Sequence, residues 1–236
     1  LKIIVVKILS SLVMAFGGGI IGREGPTIQI AASIFKKIND WLPSWYPKIS
    51  KRNMIVTGAA AGLASAFNTP LGGIVFAIEE LTKTHFSFFK SALLTGVIIA
   101  GFTALTILGP YLYLGYPQLG HMTSSIILAV LLTAIITGIA SSGMCSGLLI
   151  VLKKKSAIKS NYKQFGYVLV CGLIVASLGF FIDHAIFGSG KDIMVRTLFT
   201  SDKEVAWYVP LLRMAGSMIS FSTGASGGVF APALSI

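Results

Sequence analysis

The chain has 236 residues, of which 54% are hydrophobic and only 11% charged, and its mean hydropathy is +0.83. A soluble domain carries about 25% charged residues, so this composition excludes an ordinary globular domain and indicates an integral membrane protein with several spans. The net charge of +11 does not argue for a nucleic-acid partner, because the basic residues cluster in short loops between apolar runs, the pattern of cytoplasmic loops under the positive-inside rule.

In chain order, a first helix is expected over Lys2 to Phe16, closed by Gly17-Gly18-Gly19. Gly22-Arg23-Glu24-Gly25-Pro26 follows, and a second helix runs from Pro26 to about Lys37. The loop Lys36 to Arg52 holds five basic residues against Asp40. Met54 to Phe67 is rich in Gly and Ala, which permits close helix packing in membranes. Asn68-Thr69-Pro70 breaks it, and Leu71 to Leu81 ends in Glu79-Glu80. Lys83 and Lys90 flank the next loop, Phe88 to Leu108 is long enough to span, and the loop Gly109 to Met122 has no fixed charge. Thr123 to Leu152 reads as a long apolar helix ending in Lys153-Lys154-Lys155. Phe165 to Ile182 is a further span, with a short helix near Ile193 to Thr200 and a last apolar run over Val205 to Phe221. The Gly-rich stretch Ser222 to Gly228 then leads to Val229-Phe230-Ala231-Pro232, where another helix opens.

The loops at 36–52, 83–90 and 153–163 are expected in the cytoplasm and the loop at 109–122 on the other side. Met54–Phe67 and Pro70–Leu81 therefore begin and end on one side, and each is shorter than the ~20 residues of a span. They are expected to form a broken helical hairpin, tolerated at depth only where protein covers it or a cavity adjoins it. The chain opens inside an apolar run, without a start methionine, and stops as a helix begins, so it reads as a piece of a longer protein. No cleavable signal peptide is evident. Cys145 and Cys171 lie in apolar runs and read as small packing residues.

The chemistry starts at Gly22 to Pro26. An arginine and a glutamate at membrane depth are costly and default to a functional reading. Pro26 suits the first position of a helix, and Gly22 and Gly25 allow the backbone to approach a ligand. A helix start inside the bilayer attracts anions through its amides and dipole. Gly22-x-x-Gly25-Pro26 and Gly228-x-x-Ala231-Pro232 also form a faint repeat, the sign of an inverted repeat with a site at mid-membrane. The competing motifs are weak. Gly17-x-Gly19-x-x-Gly22 fits a dinucleotide fingerprint but lacks the soluble strand–helix context. His85, His121 and His184 are scattered, no metal-ligand spacing occurs, and no nucleophile–base pair supports an enzyme.

Gly22-Arg23-Glu24-Gly25-Pro26, Phe67-Asn68-Thr69-Pro70-Leu71-Gly72-Gly73 with Glu79-Glu80, and Gly227-Gly228-Val229-Phe230-Ala231-Pro232 together resemble the CLC family of chloride channels and proton-coupled chloride exchangers, over essentially the whole chain. The resemblance implies an all-α membrane protein, an inverted-repeat bundle of tilted and broken helices. Residues 1–112 would be part of the first half and residues 113–236 part of the second, in one transmembrane domain incomplete at both ends. It implies that Glu24 is the gating glutamate, that the amides of Val229 and Phe230 hold the central chloride, and that Glu80 is the inner proton glutamate. Glu79 would assist proton access, and Arg23 and Gly25 would add to the outer anion route. The plainer alternative for Glu80 is a salt bridge to Lys83.

The implied function is proton-coupled chloride antiport of prokaryotic type in the cell (inner) membrane. The implied partners are chloride, protons, the lipid bilayer and a second copy in a homodimer, with no cofactor, no metal and no catalytic residue. The alternative within the class is a passive, voltage-gated-type chloride channel; the alternative outside it is a non-transporting scaffold or intramembrane enzyme. The family's Gly-Ser-Gly-x-Pro element is expected before Leu1 and its inner-gate tyrosine after Ile236, so the isolated piece is not expected to transport.

Overall fold

The computed structural model describes residues 2–81, 90–109, 115, 125–200 and 204–236. Ten α-helices occur among them: α1 (Lys2–Phe16), α2 (Glu24–Trp41), α3 (Lys51–Phe67), α4 (Pro70–Phe76), α5 (Lys90–Leu108), α6 (Ser125–Ser156), α7 (Asn161–Phe181), α8 (Lys191–Phe199), α9 (Tyr208–Ser222) and α10 (Phe230–Leu234). A π-helical turn at Ala77–Leu81 extends α4, and a 3-10 turn at His184–Ile186 follows α7. No β-strand forms among the described residues, and the β-type pairing there is one isolated bridge. The loop expected at Gly109 to Met122 lies outside the described residues except at 109 and 115, as do Lys83, His85 and His121.

The chain divides into two compact units, Leu1–Val13 with Arg23–Gly115, and Met14–Gly22 with Tyr116–Ile236. In the first unit, α3 packs on α2 backbone to backbone. A carbon added at Gly62 would lie 2.7 Å from the Ala31 Cβ and 2.9 Å from the Thr27 carbonyl; one at Gly58 would lie 2.8 Å from the Ala31 carbonyl. Small residues at i and i+4 thus substitute for the hydrophobic drive that lipid does not supply. Val56, Ala60, Ala64, Ala77, Leu93 and Val97 form the core against which Ile74 packs.

The break expected at Asn68 to Pro70 is present, and its chemistry is local. Asn68 takes the left-handed conformation (φ 54°, ψ 39°) that an L-residue other than Asn or Asp rarely adopts. Its N–H donates to the Ala64 carbonyl, and Pro70 opens α4 at its first position, where no N–H is needed. At the other end of α3 the Ser50 hydroxyl caps the Asn53 amide at 3.2 Å. Asn39 fixes the preceding basic loop, donating to the Ile49 carbonyl at 2.9 Å and accepting from its amide at 3.2 Å.

In the second unit, α6 and α7 are long and apolar enough to cross a membrane. At about 1.5 Å per residue, 21 residues of α7 match the ~30 Å hydrocarbon core. α6, with 32 residues, overshoots it and ends in its three lysines. Its apolar window is wholly uncovered within this chain, as expected of a surface solvated by lipid or by protein outside the chain. The core here is Ile20, Val175 and Ile186, flanked by Leu178, Phe187, Leu212 and Ile219. Ile20 belongs to the segment 14–22, which is non-helical from Gly17 onward. That segment is held by hydrogen bonds from the Ile20 amide to the Ser220 hydroxyl (3.2 Å) and from the Gly188 amide to the Gly18 carbonyl (3.3 Å).

Candidate functional site

Two helix starts, one in each unit, are built alike. α2 is entered through Arg23 at φ −91°, ψ −4°, and α10 through Val229 at φ −102°, ψ −5°. Glu24 and Phe230 are then the first helical residues, Gly25 and Ala231 the second, Pro26 and Pro232 the third. The first turns close with the same bond, Thr27 N–H to the Arg23 carbonyl (3.2 Å) and Ala233 N–H to the Val229 carbonyl (2.9 Å). The prolines thus stand at the third position, not at the first as expected for Pro26. The reason is that none of the first helical amides has an acceptor within its helix, so a missing N–H costs nothing at either place.

Immediately before these starts, Gly22 and Gly228 pair as an antiparallel bridge. The Gly22 amide donates to the Gly228 carbonyl at 2.7 Å, and the Gly228 amide donates back to Gly22 at 2.8 Å. Both glycines belong to the second unit.

The sequence-expected residues lie as follows. Glu24 is buried, with 5% of its surface exposed, although it opens a helix. Arg23 is exposed, and its carbonyl accepts from the Thr27 hydroxyl at 2.8 Å as well as from the amide. Gly25 and Val229 are half-buried and Phe230 is exposed. Glu79 is exposed on the π-helical turn, the next residue being Glu80, whose side chain is outside the description. Single π turns inside helices recur at functional sites, and this one carries two adjacent carboxylate residues.

A residue that pattern reading missed is Arg213, wholly buried in α9. Its Nη1 donates to the carbonyls of Ala185 and Ile186 (both 2.9 Å) and Phe187 (3.2 Å), and its Nη2 to Gly188 (3.1 Å). Nε donates to the Ser235 hydroxyl at 3.0 Å, and that hydroxyl donates to the Pro232 carbonyl at 2.7 Å. The planar five-donor fork suits such a carbonyl cage. It ties α9 to the turn after the 3-10 helix and to the end of α10. The signal was present in the sequence: Arg213 is a lone cation in the apolar run Val205 to Phe221, and such a residue is a functional or architectural marker by default.

Chemically, a helix start offers outward amides and the positive end of a dipole, a seat for a small anion without a full positive charge. A carboxylate on the first residue of such a start is an anion of the chain's own. The model of the family described as "voltage gated chloride channel" matches residues 1–236. The chain belongs to the voltage-gated chloride channel, or CLC, family. Among CLC relatives, the H(+)/Cl(-) exchange transporter ClcA of Klebsiella pneumoniae subsp. pneumoniae is 27% identical over 247 residues, covering 100% of this chain and 50% of the relative. ClcA of Cronobacter sakazakii is 29% identical over 241 residues, with 100% and 51% covered.

A solved slow cyanobacterial Cl-/H+ antiporter superposes with a TM-score of 0.80 at 24% identity, over 98% of this chain and 54% of that one. A CLC-type fluoride/proton antiporter superposes with a TM-score of 0.71 at 24% identity, over 91% and 53%. The fold is therefore the all-α membrane fold of the CLC proteins, and the chain spans about half the length of the curated relatives it matches.

Proposed function

We propose that the protein to which this chain belongs exchanges chloride for protons across a membrane. The observation that carries the reading is that two helix starts have the same build, each preceded by a glycine and carrying a proline at the third position, and that one of them opens on a buried glutamate. In this proposal the amides of Val229 and Phe230 replace part of the hydration shell of a chloride. Backbone amides bind weakly enough for release, which conduction demands. Glu24 is the gate: ionised, its carboxylate takes an anion position; protonated, it gives the position up. Proton and anion occupancy are then linked, each altering the affinity for the other by the same factor. Arg23 and Gly25 belong to the outer anion route, Glu80 delivers protons from the inside, and Glu79 assists water access to it. Names of relatives support the reading, since the ClcA proteins are named exchangers of H(+) and Cl(-).

The setting we propose is a multi-pass protein of the cell membrane that works as a homodimer with a pathway in each subunit. Leu71, Val75, Phe102 and Ile107, apolar and more than half exposed, suit the dimer surface. The decisive experiment uses the full-length protein in liposomes under a chloride gradient with proton movement recorded. Uphill proton flux is expected; chloride flux with no proton flux would replace the exchanger by a channel, and neither flux would remove the transport reading.

A further inference from the structure

α6 ends in Lys153, Lys154 and Lys155, and the three are not equivalent. Lys153 and Lys154 are exposed, as cations at a headgroup boundary are expected to be. Lys155 is half-buried and folds back onto α9, where its Nζ donates to the carbonyl of Thr223 at 2.9 Å. Thr223 caps the C-terminus of α9. The chain next turns through Gly224 at φ +80°, and a side-chain carbon there would lie 2.5 Å from that same Nζ. Ser222, one residue earlier, is hydrogen-bonded to the Tyr167 hydroxyl at 2.7 Å, so the end of α9 is a polar spot among apolar helices.

The last carbonyls of α9 carry the negative end of a helix dipole. Residues 224–228 lead directly from that end to Val229 and Phe230. On the chloride-transport reading, a chloride that approached those two amides from the side of this helix end would be repelled there unless a cation neutralised it. The Lys155 ammonium spends one N–H on the Thr223 carbonyl and keeps two donors and its full charge. A lysine is a mobile, strongly hydrated point charge, suited to gathering an anion without trapping it.

We propose that Lys155 is an entry residue of the anion path, which concentrates chloride at the cytoplasmic end for delivery to Val229 and Phe230. The inference rests on the chloride-transport reading and on the cytoplasmic placement of the loop at 153–163. A lysine that served only to cap α9 would stabilise the protein and treat both sides of the membrane alike; an entry residue acts on one side.

The test is initial chloride flux through the full-length protein in liposomes of defined orientation, with chloride varied on one face at a time. In Lys155→Gln the half-saturating chloride concentration at the cytoplasmic face is expected to rise roughly three- to tenfold, the low end of what a focusing charge supplies, and the value at the outer face to stay unchanged. Lys155→Arg restores the parent value, and raised ionic strength shrinks the difference because the charge is screened. Half-saturation does not depend on how much protein folds, so a loss of yield does not disguise the result. An unchanged cytoplasmic value, or an equal rise on both faces, overturns the proposal. Absence of chloride flux in the unsubstituted protein overturns the transport reading itself, and this inference with it.

Discussion

Glu24 and Glu80 carry separable roles in the proposed cycle, so single amide substitutions should take it apart. Glu24→Gln leaves a neutral side chain that cannot contend for an anion position; chloride flux is expected to persist while proton flux falls to background. Glu80→Gln is expected to leave chloride flux in place and abolish uphill proton movement. Both are read in liposomes with a pH electrode and a chloride electrode together, and a variant that behaves like its parent loses its assigned role. Glu24 stands out in the sequence because an ionisable residue among apolar runs is costly at bilayer depth, the plainer reading being an interfacial salt bridge, and the side chain is buried. Arg213 belongs to no motif and stands as a single cation in an apolar run, so spacing gives no sign of its partners. Arg213→Met would remove five hydrogen bonds and leave the partly buried carbonyls of residues 185, 187 and 188 and the buried one of 186 without their donor. The expected loss is roughly 1–3 kcal/mol for each acceptor left without its donor, measurable as lowered stability in detergent.

Among the elements, apolar run length located most helices, while their ends depended on tertiary detail. α2 reaches Trp41, well past the lysines at 36 and 37, because buried Asn39 is tied to Ile49 while Lys36, Lys37 and Asp40 stay exposed. The turn at 68–70 could be read from Asn and Pro alone, since its geometry is set by their own backbone limits. The π turn at Ala77–Leu81 could not: one extra residue in a helical turn leaves no mark on hydrophobic spacing. The Gly-rich face of α3 yields a further expectation. Gly62→Val would press against the Thr27 carbonyl and the Ala31 Cβ, which cannot move aside, and should cost on the order of 1–3 kcal/mol as overpacking does. Gly138→Ala in α6 meets nothing within 4 Å and serves as the control: Ala suits a helix interior better than Gly, so the melting temperature should hold or rise and not fall.

For the molecule as a whole, family membership and the all-α membrane fold could be reached from three short motifs in the right order. The grouping of Met14–Gly22 with residues 116–236 could not, because it parts that segment from the rest of α1. No periodicity signals that a nine-residue connector packs with a unit more than a hundred residues away in sequence. If the full-length protein binds chloride in its native state alone, halide must stabilise it by mass action. At about one hundred times the dissociation constant the gain is about 2.7 kcal/mol, read as a melting temperature that climbs with chloride and not with an impermeant organic anion.

The reciprocal hydrogen bonds between Gly22 and Gly228 have a mechanical corollary. A rivet made of two peptide groups leaves no side chain to swing or to titrate, and undoing it inside a membrane would strand four polar atoms with no water to take them. These two strands of main chain are therefore expected to travel together throughout turnover. Opening for an ion then falls to pendant groups such as one carboxylate, and structures trapped with and without halide should overlay at this rivet to within the width of a single bond.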